Sequence, residues 1–195
     1  MNKFFFGIVL LLVVSCGNKE DVLLPKTDKS IVKEVVDLSP IYIFFRVNGK
    51  DTLAEVNRKS SIITTNWILN IDKRLPLRLV IPEVMKLQQK KREEKEHRNE
   101  KAENYYSYAD SIGKNLAFLP FTKVYYKMEK PFSSVPSICF FKDIIKVGDV
   151  IVAKEKLQDY LNTIFSKNDI PYILCFDKNS SFDSYIQNKI FIKSL

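Results

Sequence analysis

Apolar and polar positions divide this chain into stretches of different period. Residues 4–14 are an unbroken apolar run preceded by Lys3, and residues 17–39 are polar and mixed in charge. Residues 41–47 are rich in β-formers and lead into Asn48-Gly49, a dipeptide suited to the positive φ angles of a type I′ hairpin turn. A second β-rich stretch, 62–71, holds the only tryptophan, Trp67. Residues 83 to about 112 read as one long charged helix, with Pro82 in its first turn. No apolar residue occurs between Leu87 and Ala102, so that helix is expected to project into solvent.

Beyond the helix, residues 116–128 are strand-like, and Pro131 and Pro136 mark a boundary. Residues 138–141, 144–147 and 150–152 read as short strands, with Gly148-Asp149 as a turn. Leu157, Tyr160, Leu161, Ile164 and Phe165 recur at helical spacing and predict a helix over 153–165, packed on a sheet that pairs 138–141 with 170–176. A short helix over 182–188 and a last strand at 190–192 complete the pattern. The expected class is α+β: small mixed sheets with packed helices and one long charged helix, after a cleaved N-terminal signal. The expected layout is a signal at 1–15, a tether at 16–39, and α+β modules at 40–130 and 131–195. The second module reads either as a repeat of the first or as part of one continuous domain.

Composition sharpens this picture in three places. The chain is 46% hydrophobic and 12% aromatic, which supports a packed core in the roughly 180 residues after the signal. The net charge of +8 suits solubility or adhesion to anionic polymers and lipid headgroups. Candidate chemistry is sparse. A single histidine, His97, lies in a charged run and rules out His-pair zinc motifs, and five glycines are too few for a phosphate cradle. No cofactor, metal ligand set or catalytic set is expected.

The apolar run ends in Val13-Val14-Ser15-Cys16-Gly17. At 1.5 Å per residue it would span about 16 Å as a helix, too short for a ~30 Å hydrocarbon core. The stretch resembles the lipobox of a bacterial lipoprotein signal peptide. That resemblance implies cleavage before Cys16, lipidation of the Cys16 thiol and residence at the membrane of the cell envelope. Lys19-Glu20-Asp21 resembles the surface-export signal of Bacteroidota lipoproteins, or is simply the polar start of a tether. In such a compartment Cys139 and Cys175, both flanked by apolar strand residues, are either buried core thiols or a cross-link between adjacent strands. Export also turns the positive charge away from nucleic acid and toward envelope polyanions.

The C-terminal third runs strand, glycine turn, strand, helix, and then Tyr172-Ile173-Leu174-Cys175-Phe176-Asp177-Lys178 before a further helix. This order resembles the periplasmic domain of the ExbD/TolR biopolymer-transport family. An echo lies earlier, in Trp67-Ile68-Leu69-Asn70-Ile71-Asp72-Lys73-Arg74, so two copies of one small module are conceivable. The chain lacks the acidic transmembrane helix that couples that family to protons, so motor activity is not implied. The functional expectation is a lipid-anchored, non-enzymatic binding or scaffolding module that holds an envelope protein or an anionic wall polymer. The alternatives are an envelope enzyme with an unrecognised site and a small-ligand carrier.

Overall fold

In the computed structural model, residues 21–96, 99–129, 135–142, 144–165 and 172–195 are described. They form an α+β fold with three helices and two mixed sheets. The first sheet has six strands: β1 (Lys26–Thr27), β2 (Leu38–Asn48), β3 (Asp51–Asn57), β4 (Asn66–Ile71), β5 (Asn104–Asp110) and β6 (Asn115–Pro120). Its order is β1-β5-β4-β2-β3, with β6 antiparallel to β5. The second sheet, β10-β7-β8-β9, combines β7 (Ser137–Phe140), β8 (Ile145–Val147), β9 (Val150–Val152) and β10 (Ile173–Phe176).

The hairpins form where the glycine turns are, with a change of register. Asn48 pairs with Asp51 in the β2–β3 ladder, so the turn is Gly49-Lys50 and Gly49 alone carries the positive φ. Gly148-Asp149 repeats this geometry between β8 and β9. Glycine at the first central position takes such a φ without the clash a Cβ would bring.

Helix α1 spans Leu77–Glu93, so Pro82 lies inside it rather than in its first turn. The expected continuation to residue 112 does not occur. Asn104, Tyr106, Tyr108 and Asp110 are buried at alternate positions, which is the period of a strand, and aromatic residues favour that pleated surface. The helix does not project either. Leu77, Val80, Ile81, Val84, Leu87 and Gln88 bury one face against the sheet.

Helix α2 (Leu157–Phe165) follows the short 3-10 turn Lys154–Lys156. Leu157 is fully buried in the second core, and Tyr160 and Leu161 pack against it. Strands β7 and β10 are parallel neighbours, as the order strand–helix–strand required. Helix α3 runs over Phe182–Lys193 and takes in residues 190–192, which read as a strand in sequence. Phe182, Tyr185, Ile186 and Ile190 enter the first core, whereas Phe191 and Ile192 pack on the second. A helix apolar on both flanks presents a continuous apolar run, which periodicity alone does not separate from a strand.

The stretch expected as a tether is largely bound to the fold. β1 pairs in parallel with β5, Val32 exchanges backbone hydrogen bonds with Phe118 (3.1 and 2.8 Å), and the Ile31 N–H donates to the Tyr108 hydroxyl at 2.7 Å.

Candidate functional site

Of the sequence-predicted site residues, Cys16 lies outside the described residues, as does His97. Cys139 and Cys175 stand opposite each other on β7 and β10 and form a disulfide, which decides between the two readings of these residues. They are half-buried, on the face of the second sheet that turns away from its core.

Where the two sheets meet, the Asp72-Lys73 and Asp177-Lys178 stretches take matching geometries. β4 and β10 each end in an aspartate whose side chain folds back on the chain. The Asp72 Oδ1 accepts from the Arg74 N–H at 3.0 Å, and the Asp177 Oδ1 accepts from the Asn179 N–H at 2.9 Å. Each turn then feeds the helix of the other half. The Leu77 N–H donates to the Ser180 carbonyl and the Phe182 N–H to the Leu75 carbonyl. One residue on, the Arg78 N–H donates to the Lys178 carbonyl and the Asp183 N–H to the Lys73 carbonyl. Pro76 and Ser181 form an isolated antiparallel bridge at the centre. Every partner is related to its counterpart by one constant sequence offset. The unpaired N–H groups at the start of α1 and α3 are thus satisfied reciprocally.

The two aspartates differ in setting. Asp72 is fully buried, with Arg74 Nε at 2.9 Å from Oδ1 and Arg74 Nη2 at 2.7 Å from Oδ2. The Leu23 N–H also faces Oδ2, at 3.4 Å. Burial alone would raise the Asp72 carboxyl, but the Arg74 side chain and these N–H groups outweigh it and hold it below the usual carboxylate range. Arg74 lies over the Phe45 ring, 4.3 Å from its centroid, so the ion pair is clamped between strand and turn.

A second arrangement lies on the face of the first sheet opposite its core. Ladder register aligns Asn70, Tyr42 and Asn57 in one cross-strand row and sets Phe118 opposite Ser107, and a Ser107–Asn70 hydrogen bond joins the two. Beside it, Tyr42 stacks on Phe44 at 5.8 Å, and the Arg46 guanidinium lies over Phe44 and pairs with Glu55 at 2.6 Å. Ser107 Oγ donates to Asn70 Oδ1 at 2.7 Å, and the Tyr105 hydroxyl donates to Glu103 at 2.6 Å. Burial and that carboxylate push the Tyr105 hydroxyl up to about 12. Phe44, Ile68 and Phe118 are buried here, outside both cores. Of the Tyr42–Phe44 pair only Tyr42 is exposed, since Phe44 is buried beneath the Arg46 guanidinium. Around the corner, at the β3 edge, Arg46, Leu53, Ala54, Glu55, Leu79 and Glu83 line a shallow groove of about 420 Å³.

Two further groups tie elements together. Lys91 Nζ donates to the Thr65 carbonyl (2.9 Å), the Glu103 carbonyl (3.2 Å) and Asn104 Oδ1 (3.0 Å), over the Trp67 ring. Burial lowers its ammonium to about 8. The hydroxyls of Tyr106, Tyr126 and Tyr185 form a chain with spacings of 2.7 and 2.9 Å. All three are pushed well above their ordinary values, first by burial.

Sequence reading missed Arg74 and the Tyr42–Phe44–Arg46 platform. The signal for the latter was present: alternate residues of β2 share a face. Arg74 carried none, because a bidentate pair two residues away depends on the turn that brings it round. No known protein family, no curated protein and no solved structure matches this chain.

Proposed function

We propose that this is a lipid-anchored cell-envelope protein that acts as a binding or scaffolding module for an envelope protein or wall polymer. The observation that carries the reading is the Cys139–Cys175 disulfide, which favours an oxidising compartment independently of the N-terminal lipobox pattern. Cys16 is the one cysteine left for a lipid. Among the described residues, Leu23 is the first that the fold holds strongly: its carbonyl accepts from the Lys73 N–H at 2.7 Å. Fully extended, the intervening chain reaches at most about 25 Å, so a lipid on Cys16 holds the folded unit close to the bilayer. The outer face of the first sheet, where the Tyr42 ring is exposed beside Arg46, and the net charge of +8 are the features offered to an anionic wall polymer.

The test is acyl labelling and fractionation of Cys16→Ala. Loss of label together with release from membranes is the expected result. A variant that is still labelled, or still membrane-bound, overturns the reading.

A further inference from the structure

The reciprocal hydrogen bonds between the Asp72 and Asp177 turns relate two stretches with the same strand pairing. In each, a strand (β2 or β7) pairs antiparallel with the next strand on one side and parallel with a later strand (β4 or β10) on the other. The later strand ends in the aspartate turn and a helix. One difference between the stretches concerns the outer edge of that later strand. In the first, the outer edge of β4 is occupied by β5, in parallel register, with Trp67 opposite Asn104, Ile68 opposite Tyr105 and Leu69 opposite Tyr106. In the second, β10 stands at the end of its sheet.

Backbone direction makes the comparison specific. The Trp67 N–H donates to Glu103 next to β5, while the Asp72 N–H donates to Ile43 of β2. Correspondingly, the N–H groups of Ile173 and Asp177 donate to Pro136 and Phe140, on the β7 side. Alternation turns the intervening even-numbered residues the other way, so Leu174 and Phe176 direct N–H and C=O outward, as Leu69 does toward β5. No described strand pairs with them.

Among the described residues no bridge or strand covers this edge, and no charged side chain lies within it. β3 carries Asp51 and the Glu55–Arg46 pair, β9 is three residues long with Asp149 and Lys154 on either side, and β6 is bridged by Val32. β10 is Ile-Leu-Cys-Phe, half-buried and uncharged, and the disulfide holds it to β7. Charge, shortness and cover are the usual means of blunting an edge.

We infer that the outer edge of β10 accepts an extended segment of a partner polypeptide as a parallel strand, in the register that β5 takes on β4. The segment carries aromatic or β-branched residues at alternate positions, as β5 does. The geometry stands by itself; only the location of the partner in the envelope rests on the proposed function.

The test is amide hydrogen exchange on the oxidised full-length protein, with a peptide of the β5 sequence, Asn-Tyr-Tyr-Ser-Tyr-Ala-Asp, as probe. In the free protein the amides of Leu174 and Phe176 should exchange at least about 100-fold faster than those of Ile173 and Asp177. The peptide should slow Leu174 and Phe176 by about tenfold or more and leave β3 unchanged. A peptide with proline in place of its serine, whose N–H faces β4 in the register that β5 takes, should have no effect. Protection of Leu174 and Phe176 before peptide is added, protection at β3 instead, or no response to the peptide each overturns the inference. None of these readouts depends on lipidation, so failure here is distinct from failure at Cys16.

Discussion

At the scale of single residues, the Asp72–Arg74 pair has the clearest consequences. Asp72 is buried with both oxygens engaged, whereas Arg74 is partly exposed. Arg74→Ala would leave a buried carboxylate short of partners, at a cost of about 1–3 kcal/mol. The pH dependence follows from the direction of the Asp72 shift. Its folded value lies below the unfolded one, so its contribution is complete above the ordinary carboxylate range and is lost as pH falls through about 4 and below. Urea titrations at pH 7 and pH 3 should therefore show a larger gap between parent and Arg74→Ala at pH 7. An equal gap at both would mean that Arg74 acts through packing on Phe45 alone. Lys91 has the opposite sense. Its folded value, about 8, lies below the usual lysine range, so the penalty for burying its charge is present below pH 8 and lifts as pH rises toward 10. The parent should gain stability over that interval relative to Lys91→Met, in denaturant midpoints read at pH 7.5 and pH 10.

At the scale of elements, what was legible in the sequence depended on how many sides each element buries. Helix α2 buries one flank, so Leu157, Tyr160 and Leu161 were readable at helical spacing, and so was the sheet beneath them. Helix α3 buries two flanks, and its tail looked like a strand. Strand β5 was hidden behind the charged residues that precede it, whose helical propensity extends the reading of α1 past Glu93. The polar strap before β2 was invisible for another reason: its contacts are backbone pairs and a tyrosine hydroxyl, which leave no hydrophobic period. The platform of β2 was legible only in part, since alternation places Tyr42, Phe44 and Arg46 together without saying that the helices cover the other face. The connection between α1 and β5 retains what its composition promised. Arg92, Glu93, Lys95, Glu96, Glu100 and Lys101 are exposed, so brief trypsin treatment should nick the native protein between Lys90 and Lys101 before any other site. Resistance there would mean that a partner or another copy covers it. The disulfide acts on the second sheet, where it closes a loop with a sequence separation of 36. Chain-entropy reasoning assigns such a closure about 3–4 kcal/mol. Cys139→Ser should lose that much in denaturant titrations, with the first sheet regaining its fluorescence signal from Trp67 on refolding.

At the scale of the whole molecule, the decisive feature is that α3 belongs to both cores. Phe182 is fully buried, lies edge-on to Tyr106 and stacks near Tyr185, while its N–H satisfies the Leu75 carbonyl of the opposite turn. Phe191 and Ile192, farther along the same helix, serve the second sheet. Neither sheet can lose α3 without exposing apolar surface in the other, and neither helix N-terminus can lose its partner turn without stranding N–H groups. Unfolding is therefore expected to be one cooperative transition. Phe182→Ala removes a large side chain from the first core and should cost about 3–5 kcal/mol. For a protein of this size that corresponds to a fall in Tm of roughly 6–20 °C. Scanning calorimetry of the oxidised protein should show a single peak for both parent and variant, the variant's shifted as a whole. If Phe182→Ala instead splits the peak, with a component left at the parental Tm, the second sheet holds together without α3 in the first core, and the reciprocal turns join two independently stable units.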